Sequence, residues 1–407
     1  MSLDPKIYIV PVGHGMAAIV NDGEHVIIVD FGVDKYSCLQ NSNCTQRINK
    51  VLISSVQMIN KSRRRIAILT HLDMDHFNIL AALLNKFGTT LDELYLPMPP
   101  KVPVEPREAI IRCMALIDII ADIKKLPLGS ALKTLGERSI EVKFVSRGMR
   151  IYLAPRVQMS VLWPPIEFPI PKRYKRKYDE LLRRTRKVAE DLINLCEKMA
   201  KEMEIVDKFH EKAKIYTVLI QKGSFEFREE EPWERGEGNA KDLLSIVREV
   251  SPIDILYKVN PILAEDIVGK AKRLTNTFSM VAGLNTYPDT YRYTFCPLYW
   301  LSTTIFTVLL TGNVEPQVQD LLYVLEKPKL RPGLPHAYLL QVPHHGTYLG
   351  KYVKHCISKI AWIPLCDSCK YMKKRAMIRK AHCNIKKLNT LWYVWNDNTI
   401  IEQIPPP

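Results

Sequence analysis

The sequence has no apolar run long enough to cross a membrane. Its longest apolar stretches, such as residues 110–123, are interrupted by Arg or Asp well before the ~20 residues that a spanning helix needs. The first residues also lack the basic segment, apolar run and small-residue cleavage site of an export signal. We therefore expect a cytoplasmic protein without a membrane partner.

A regular cysteine framework is also missing. The nine cysteines are an odd number without regular spacing, so in a reducing compartment we expect buried thiols or metal ligands rather than disulfides. One group, Cys366, Cys369, His382 and Cys383, contains the residue types of a structural zinc site. Adjacent His and Cys fit a tetrahedral site poorly. Free buried thiols are the preferred interpretation, and structural zinc is the alternative.

Acidic residues are outnumbered by basic ones. The chain has 58 Lys and Arg against 43 Asp and Glu, a formal net charge of +15, which favours polyanionic partners, nucleic acid first. Basic residues concentrate in residues 63–65, 172–187 and 351–387, where they could contact phosphates or simply keep the surface soluble. The candidate nucleic-acid contacts are Arg63, Arg64, Lys175, Arg176, Lys373 and Lys374.

Hydrophobic periodicity predicts an α/β fold without internal repeats. Strands are expected at residues 6–11, 17–20, 25–29, 64–70, 140–145, 150–153, 157–162 and 304–310, and helices at residues 46–60, 78–87 and 107–124. A polar loop follows the strand at residues 64–70. Such loops, at the carboxyl ends of strands, are where α/β layers hold ligand sites.

Glycine and proline are absent from residues 172–214, where apolar residues recur at helical spacing. This pattern predicts one long helix whose apolar stripe is buried on the main body, or on a dimer or protein partner. Because the composition changes here, we divide the chain into a main domain, residues 1–165 and 251–407, and an insertion, residues 166–250.

The strongest chemical signal is the segment at residues 71–76, HLDMDH. Two imidazoles and two carboxylates follow an apolar strand closely enough to face a common centre, and divalent ions accept such mixed nitrogen and oxygen ligands. The candidate metal ligands are His71, Asp73, Asp75 and His76. The alternative is a polar turn that caps a helix, but a cap requires only one aspartate.

Two further polar turns follow apolar strands. Thr311, Gly312 and Asn313 end one strand, and His344 and His345 follow another. Each turn alone is a weak signal, because adjacent histidines are more often a surface pair or a helix cap than ligands. Three polar clusters at strand ends in one chain point to a composite site.

Together these motifs resemble the metallo-β-lactamase superfamily, in particular the branch similar to the hydrolase domain of ComEC-type DNA-uptake competence proteins. The resemblance covers most of the chain outside the insertion. The matching segments, in chain order, are residues 12–16, 30–32, 71–76, 276–279, 311–313 and 344–347. It implies a four-layer αββα sandwich with a helical insertion.

The resemblance also implies roles for residues. One or two divalent ions, Zn or Mn, would be held by His71, Asp73, Asp75, His76, Asn313 and one of His344 and His345. Asp75 would orient the attacking water, so Asp75 and His76 are the catalytic candidates. Asn313 departs from the family, which has a metal-bridging Asp there, and a neutral amide is a poorer bridge. His14 and Met16 also replace the family's Gln and Asp.

The leading expectation is a metal-dependent phosphodiesterase or nuclease that hydrolyses DNA or RNA with a metal-activated water. One alternative is a hydrolase of a small ester, lactam or phosphorylated metabolite, since one fold serves many substrates. The other is a degenerate member that binds nucleic acid or protein without turnover. Without spanning segments, DNA uptake itself is not implied.

Overall fold

A computed structural model describes residues 5–12, 15–34, 42–86, 90–124, 140–167, 175–226, 251–286, 306–327, 337–346, 349–363 and 390–395. Several candidate residues lie outside these ranges: His14, Cys366, Cys369, Lys373, Lys374, His382 and Cys383. The structure therefore leaves the candidate zinc site and part of the C-terminal basic segment as predictions.

The chain forms a mixed α/β fold around two seven-stranded sheets. The first sheet contains, in hydrogen-bonded order, β1 (Lys6–Ile9), β2 (Ala17–Asn21), β3 (His25–Phe31), β4 (Arg64–Ile68), β5 (Glu93–Pro97), β6 (Glu141–Val145) and β9 (Ser224–Glu226). Strands β3 to β6 are parallel and the flanking pairs are antiparallel. The three strands expected near the start of the chain are confirmed, and they pair in sequence order.

The second sheet is also mixed. Its order is β14 (Thr390–Trp395), β13 (Ser358–Ile363), β12 (Ala337–Gln341), β11 (Phe306–Leu310), β10 (Val281–Thr286), β8 (Val157–Trp163) and β7 (Arg150–Ala154). Strands β11 to β14 run parallel, while β7, β8, β10 and β11 pair antiparallel. The second sheet thus combines β7 and β8, from the middle of the chain, with strands from its C-terminal part.

The apolar side chains form two clusters. Successive side chains of a strand point to opposite faces of its sheet, so one strand contributes to both clusters. In β3, Ile27 and Val29 join a cluster with side chains of the second sheet, such as Val308 and Leu310. Residues between them, including Val26 and Ile28, join the cluster that contains the helices. The two sheets therefore share a core, and helices cover other sheet faces.

The described helices surround these sheets. They are α1 (Ser42–Lys61), α2 (Met74–Lys86), α3 (Glu105–Lys124), α4 (Lys175–Glu202), α5 (Val206–Lys222), α6 (Pro252–Val259), α7 (Pro261–Thr277), α8 (Pro316–Glu326) and α9 (Lys351–His355). None of these helices combines the length and apolar character that crossing a membrane requires.

The expectation of one long helix over residues 172–214 is wrong. The described chain forms two helices, α4 and α5, because Glu204 adopts a left-handed backbone with φ of 58°. Ile205 N donates to Ala200 O across this turn, 3.0 Å away, as in a common helix ending. The break lets both helices pack against the main body, where Leu192 of α4 and Phe209 of α5 are fully buried.

A buried carboxylate connects α3 to α5. Asp118 of α3 is fully buried and accepts hydrogen bonds from Tyr216 Oη at 2.6 Å and Lys212 Nζ at 2.7 Å, both from α5. Burying a carboxylate is costly unless donors satisfy it. This group therefore fixes where α5 lies on α3.

Replacing Asp118 with alanine should destabilise the protein, because a buried hydroxyl and an ammonium group lose their acceptor. We expect the free energy of unfolding to fall by roughly 2–4 kcal/mol in urea denaturation. Tyr216→Phe, which leaves the ion pair intact, should cost about 1 kcal/mol. Equal, small losses in both variants would show that the carboxylate does not hold the helices together.

Candidate metal centre

The segment at residues 71–76 spans a loop and a helix start. It follows β4, and α2 begins at Met74, four residues earlier than the sequence predicted. Asp75 and His76 therefore lie in the first turn of a helix instead of in a loop, and His76 N donates to Asp73 O at 2.9 Å. An aspartate in this turn interacts favourably with the positive end of the helix dipole.

His71 and His76 lie side by side in the interior. Their ring centroids are 3.8 Å apart, and their exposed fractions are 1% and 0%. The Nδ1 atom of His76 contacts Asp30 Oδ2 at 3.0 Å, and that of His71 contacts Thr70 Oγ1 at 3.1 Å. Because the Thr70 hydroxyl donates its hydrogen to Asp30, it accepts from His71. Each ring therefore carries hydrogen on Nδ1 and leaves Nε2 for another partner.

Asp30 is held in an unusual backbone conformation. Its φ of 48° lies in the left-handed region, and its side chain is fully buried. Its Oδ1 accepts from the backbone N of Thr70 at 2.7 Å, in addition to the contacts with the threonine hydroxyl and His76. The carboxylate thus orients one histidine directly and the other through Thr70.

Close backbone packing explains two of the glycines in the opening motifs. A Cβ on Gly32 would lie 2.4 Å from the carbonyl carbon of Asp75, and one on Gly15 would lie 1.9 Å from Gly32 O. Met16 N donates to Asp75 O at 3.1 Å, and Gly32 N donates to Met16 O at 2.9 Å. The first loop is therefore bonded to the start of α2, and only glycine fits at these two positions.

Asn313 lies in the turn after β11 of the second sheet, and its side chain contacts the two histidines. Its Nδ2 lies 3.0 Å from His71 Nε2 and 3.4 Å from His76 Nε2. Its backbone N donates to Ser279 Oγ at 2.9 Å. The preceding residue, Gly312, has a φ of 50°, and a Cβ at this position would collide with the same hydroxyl. The predicted convergence of His71, His76 and Asn313 is therefore observed.

Asp73 places a carboxylate on the Nε2 side of His71. Its Oδ2 lies 3.5 Å from His71 Nε2, while its Oδ1 accepts from Thr275 Oγ1 at 3.0 Å. Lys272 Nζ lies 3.8 Å from Oδ2, and its side chain is 52% exposed. Sequence reasoning missed Lys272 and Thr275; their spacing of three, on a helix that ends at the motif at residues 276–279, was the available signal.

Burial and neighbouring charges set the protonation states of His71, Asp73 and His76. Burial, together with the neighbouring His76, lowers the pKa of His71, which favours its neutral ring. Burial opposes charge on His76 as well, but the Asp30 carboxylate outweighs it and raises that pKa. Burial alone would raise the pKa of Asp73, yet His71 and Lys272 hold it below its usual range. Asp73 is therefore an anion, and a proton and a metal ion would compete for His76 Nε2.

The turn with His344 and His345 lies at the same edge of the second sheet. Both belong to a short 3-10 helix, Pro343–Gly346, directly after β12. Gln341, the last residue of β12, accepts through Oε1 from the backbone N of Thr311 at 2.7 Å. The β12 end is thus bonded to the turn that carries Asn313, whereas the two imidazoles lie outside the described side chains.

The substituted position in the opening motif is structural. Met16 is fully buried in the core that the two sheets share, and its Sδ accepts from Gln341 Nε2 at 2.8 Å. A methionine here connects the first loop to β12. It supplies no oxygen ligand to the histidines.

The described basic candidates do not gather at the centre. Arg63 and Arg64 lie at the opposite end of β4 from His71, on the order of 20 Å away along the strand, and they pair with Glu24 and Glu93. Two others, Lys175 and Arg176, are exposed in the first turn of α4. Their contact with nucleic acid stays a prediction.

A groove of about 1020 Å³ lies between α4, α7 and α8. Its lining includes Asn276 and Glu315, which are close in sequence to Thr275 and Asn313 of the centre. Its charged side chains are Arg184, Lys187, Lys270, Arg273, Lys351, Glu180, Asp191, Glu315 and Asp320. Both signs are nearly balanced, so the groove itself does not favour a polyanion.

The described side chains do not form a complete set of metal ligands. Within the described part of the chain, no group of three or more His, Cys, Asp and Glu side chains is arranged to hold a metal ion. The centre instead presents two imidazole nitrogens, one carboxylate oxygen and an amide. Asp73 Oδ2 and Asn313 Oδ1 are buried without a hydrogen-bond partner among the described residues, and for a buried carboxylate oxygen a cation can take that place.

The chain was compared with known protein families and with curated proteins. No family model matches the chain, and no curated protein matches it. The likeness to metallo-β-lactamases therefore depends on the motifs themselves, above all residues 71–76 and 311–313, and on the side chains that these two segments bring together. Membership of that superfamily is a hypothesis.

Proposed function

We propose that this protein is a metal-dependent hydrolase of the metallo-β-lactamase fold that cleaves phosphodiester bonds in DNA or RNA. The observation that carries the proposal is the convergence of His71 Nε2, His76 Nε2, Asp73 Oδ2 and the Asn313 amide in a buried place. A buried polar atom without a partner costs roughly 1–3 kcal/mol. A bound cation would offset that cost for Asp73 Oδ2, which has no hydrogen-bond partner among the described residues.

The arrangement of the sheets supports the proposed fold. The two sheets share one apolar core, and helices cover side chains on other faces of the strands, as the layers of an αββα sandwich do. The candidate ligands follow β4, β11 and β12, and the turns after β11 and β12 are joined by Gln341. Sites at strand ends are typical of layered α/β proteins.

Both histidines have the environment that metal ligands need. A ligating histidine usually donates its other ring N–H to a carboxylate or a similar acceptor, which fixes the ring. Asp30 does this for His76, and Thr70 does it for His71. We assign His71, Asp73, Asp75 and His76 as ligands, assisted by one of His344 and His345. The Asn313 amide oxygen would join them after the amide turns over, because its Nδ2 faces both Nε2 atoms in this structure.

A divalent cation, when bound, lowers the pKa of a water molecule and stabilises negative charge that develops on the substrate. When water attacks phosphorus, a proton must leave the water and the bond to the leaving oxygen must break. We assign to Asp75, partly exposed in the first turn of α2, the role of accepting that proton. Asp30 and Thr70 keep the two imidazoles oriented throughout.

Lys272 supplies a reason to expect an anionic substrate. Its ammonium group lies 3.8 Å from Asp73 and its side chain is half exposed, so it can reach both the centre and a substrate oxygen. The Asp73 and Asp75 charges outweigh the effect of burial and raise its pKa, which keeps it cationic. The net charge of +15 favours a polyanion over a small neutral ester.

One observation favours a second candidate, a member of the fold that binds nucleic acid or protein without turnover. The Nδ2 atom of Asn313 lies against both Nε2 atoms, so the amide can satisfy the imidazoles without any metal. A neutral amide is also a weaker ligand than a carboxylate. Metal stoichiometry separates this candidate from the hydrolase.

Replacing Asp75 with alanine should abolish cleavage, because the variant loses a ligand and the proton acceptor. We expect Mn²⁺- or Zn²⁺-dependent cleavage of labelled single-stranded DNA, duplex DNA or RNA to fall at least about 100-fold. The matched control is Asp207→Ala, which removes an exposed aspartate from the first turn of α5. Unchanged cleavage and metal content in Asp75→Ala would refute the proposed site.

Replacing Asn313 with aspartate should strengthen metal binding at least about tenfold, because a negative charge is added beside the cation. Titration calorimetry and elemental analysis measure this. Asn260→Asp adds the same charge at the N-cap of α7, the helix end far from Thr275, and should leave metal affinity unchanged. A wild type that binds no metal and cleaves nothing, beside an Asn313→Asp variant that does both, would favour the second candidate.

Replacing Lys272 with alanine should weaken substrate binding without weakening metal binding. We expect kcat/KM for an oligonucleotide to fall about tenfold, with a shallower dependence on salt concentration. The control is Lys270→Ala on the same helix, where the lysine bonds to Asp191 at 2.8 Å. Equal effects of the two substitutions would exclude a specific role for Lys272.

A further inference from the structure

Two thiols from different helices lie in contact within the core. Cys113 of α3 and Cys196 of α4 have their Sγ atoms 3.2 Å apart. A disulfide requires about 2.05 Å between sulfurs, so the two atoms would have to approach by about 1 Å more. Side-chain rotation or a small shift of either helix can supply such a movement.

The two cysteines differ in access to solvent. Cys196 is fully buried, whereas Cys113 is partly exposed. The hydrogen bond with Cys113, followed by burial, holds the pKa of the Cys196 thiol well above its usual range, so the reduced pair is a stable dithiol. Cys113 is the thiol that a small reagent can reach first.

We propose that Cys113 and Cys196 form an oxidative modification site, at which a peroxide or a small disulfide converts the two thiols into an intramolecular disulfide. With a peroxide, the Cys113 sulfur takes oxygen to become a sulfenic acid while the peroxide is reduced to water or an alcohol. The Cys196 sulfur then displaces that oxygen as water. Two S–H bonds are lost, one S–S bond forms, and two electrons pass to the peroxide.

A small disulfide gives the same product by exchange. The Cys113 thiolate attacks one sulfur of the reagent, forms a mixed disulfide and releases one small thiol. Cys196 then attacks the Cys113 sulfur and releases the second small thiol. Both routes begin at the exposed partner and end at the buried one, which matches the difference in burial of the two cysteines.

The new bond would join the insertion to the main domain. Cys113 and Cys196 are 83 residues apart in sequence, and a cross-link that closes so long a loop strongly restricts the unfolded chain. It would also fix α4, whose earlier turns line the groove beside the candidate centre. In a reducing compartment the pair stays reduced, so the link reports exposure to an oxidant. This inference does not depend on the proposed hydrolase activity.

The test uses the full chain under native conditions. The reduced protein is treated with hydrogen peroxide or oxidised glutathione, remaining thiols are alkylated, and peptides are mapped by mass spectrometry. We expect a linked peptide that contains Cys113 and Cys196, reversed by dithiothreitol. Recovery of both cysteines as separate alkylated peptides, or linked to other cysteines, would overturn the proposal.

Three variants sharpen this result. Cys113→Ser and Cys196→Ser should each abolish the linked peptide, whereas Cys356→Ser, which removes another buried thiol, should leave it unchanged. Circular dichroism verifies that every variant is folded. A link that persists in Cys113→Ser would assign it to another cysteine pair.

Discussion

The buried carboxylate of Asp30 is the constraint on which the candidate centre depends. It binds the backbone and hydroxyl of Thr70 and the ring of His76, and through Thr70 it also sets the orientation of His71. Two residues later, the chain passes against the start of α2 at a distance that only Gly32 allows. One left-handed residue therefore fixes the first loop, the end of β4 and both imidazoles relative to one another.

Local patterns predict many of the strands, such as β1 to β4 and β6 to β8, and polar residues at the ends of some of them. Apolar runs predict β1 to β4 within a few positions, and the composition of residues 71–76 predicts that His71 and His76 belong to one cluster. Asn313 and the 3-10 helix with His344 were assigned to the same site on motif order, and their backbones lie at one edge of the second sheet. These features depend on short segments whose chemistry is specific.

The errors have a different origin, because they depend on contacts between distant segments. The helix break at Glu204 contains neither glycine nor proline, and it exists because α4 and α5 both bury apolar residues against the main body. Lys272 and Thr275 belong to the centre only because α7 packs beside Asp73. Clusters of basic residues in the sequence also did not show where those residues lie relative to the candidate centre. Arg63 and Arg64 lie at the far end of β4 from His71 and pair with acidic residues.

The charges around the histidines bear on how many ions the proposed centre would hold. Asp30, Asp73 and Asp75 contribute three negative charges, and Lys272 contributes one positive charge close to Asp73. One divalent cation would bring this group to neutrality, as buried or partly buried charges require. An aspartate at position 313 would add a fourth negative charge and favour a second cation. With asparagine there and the Lys272 ammonium nearby, the proposed centre would hold a single ion.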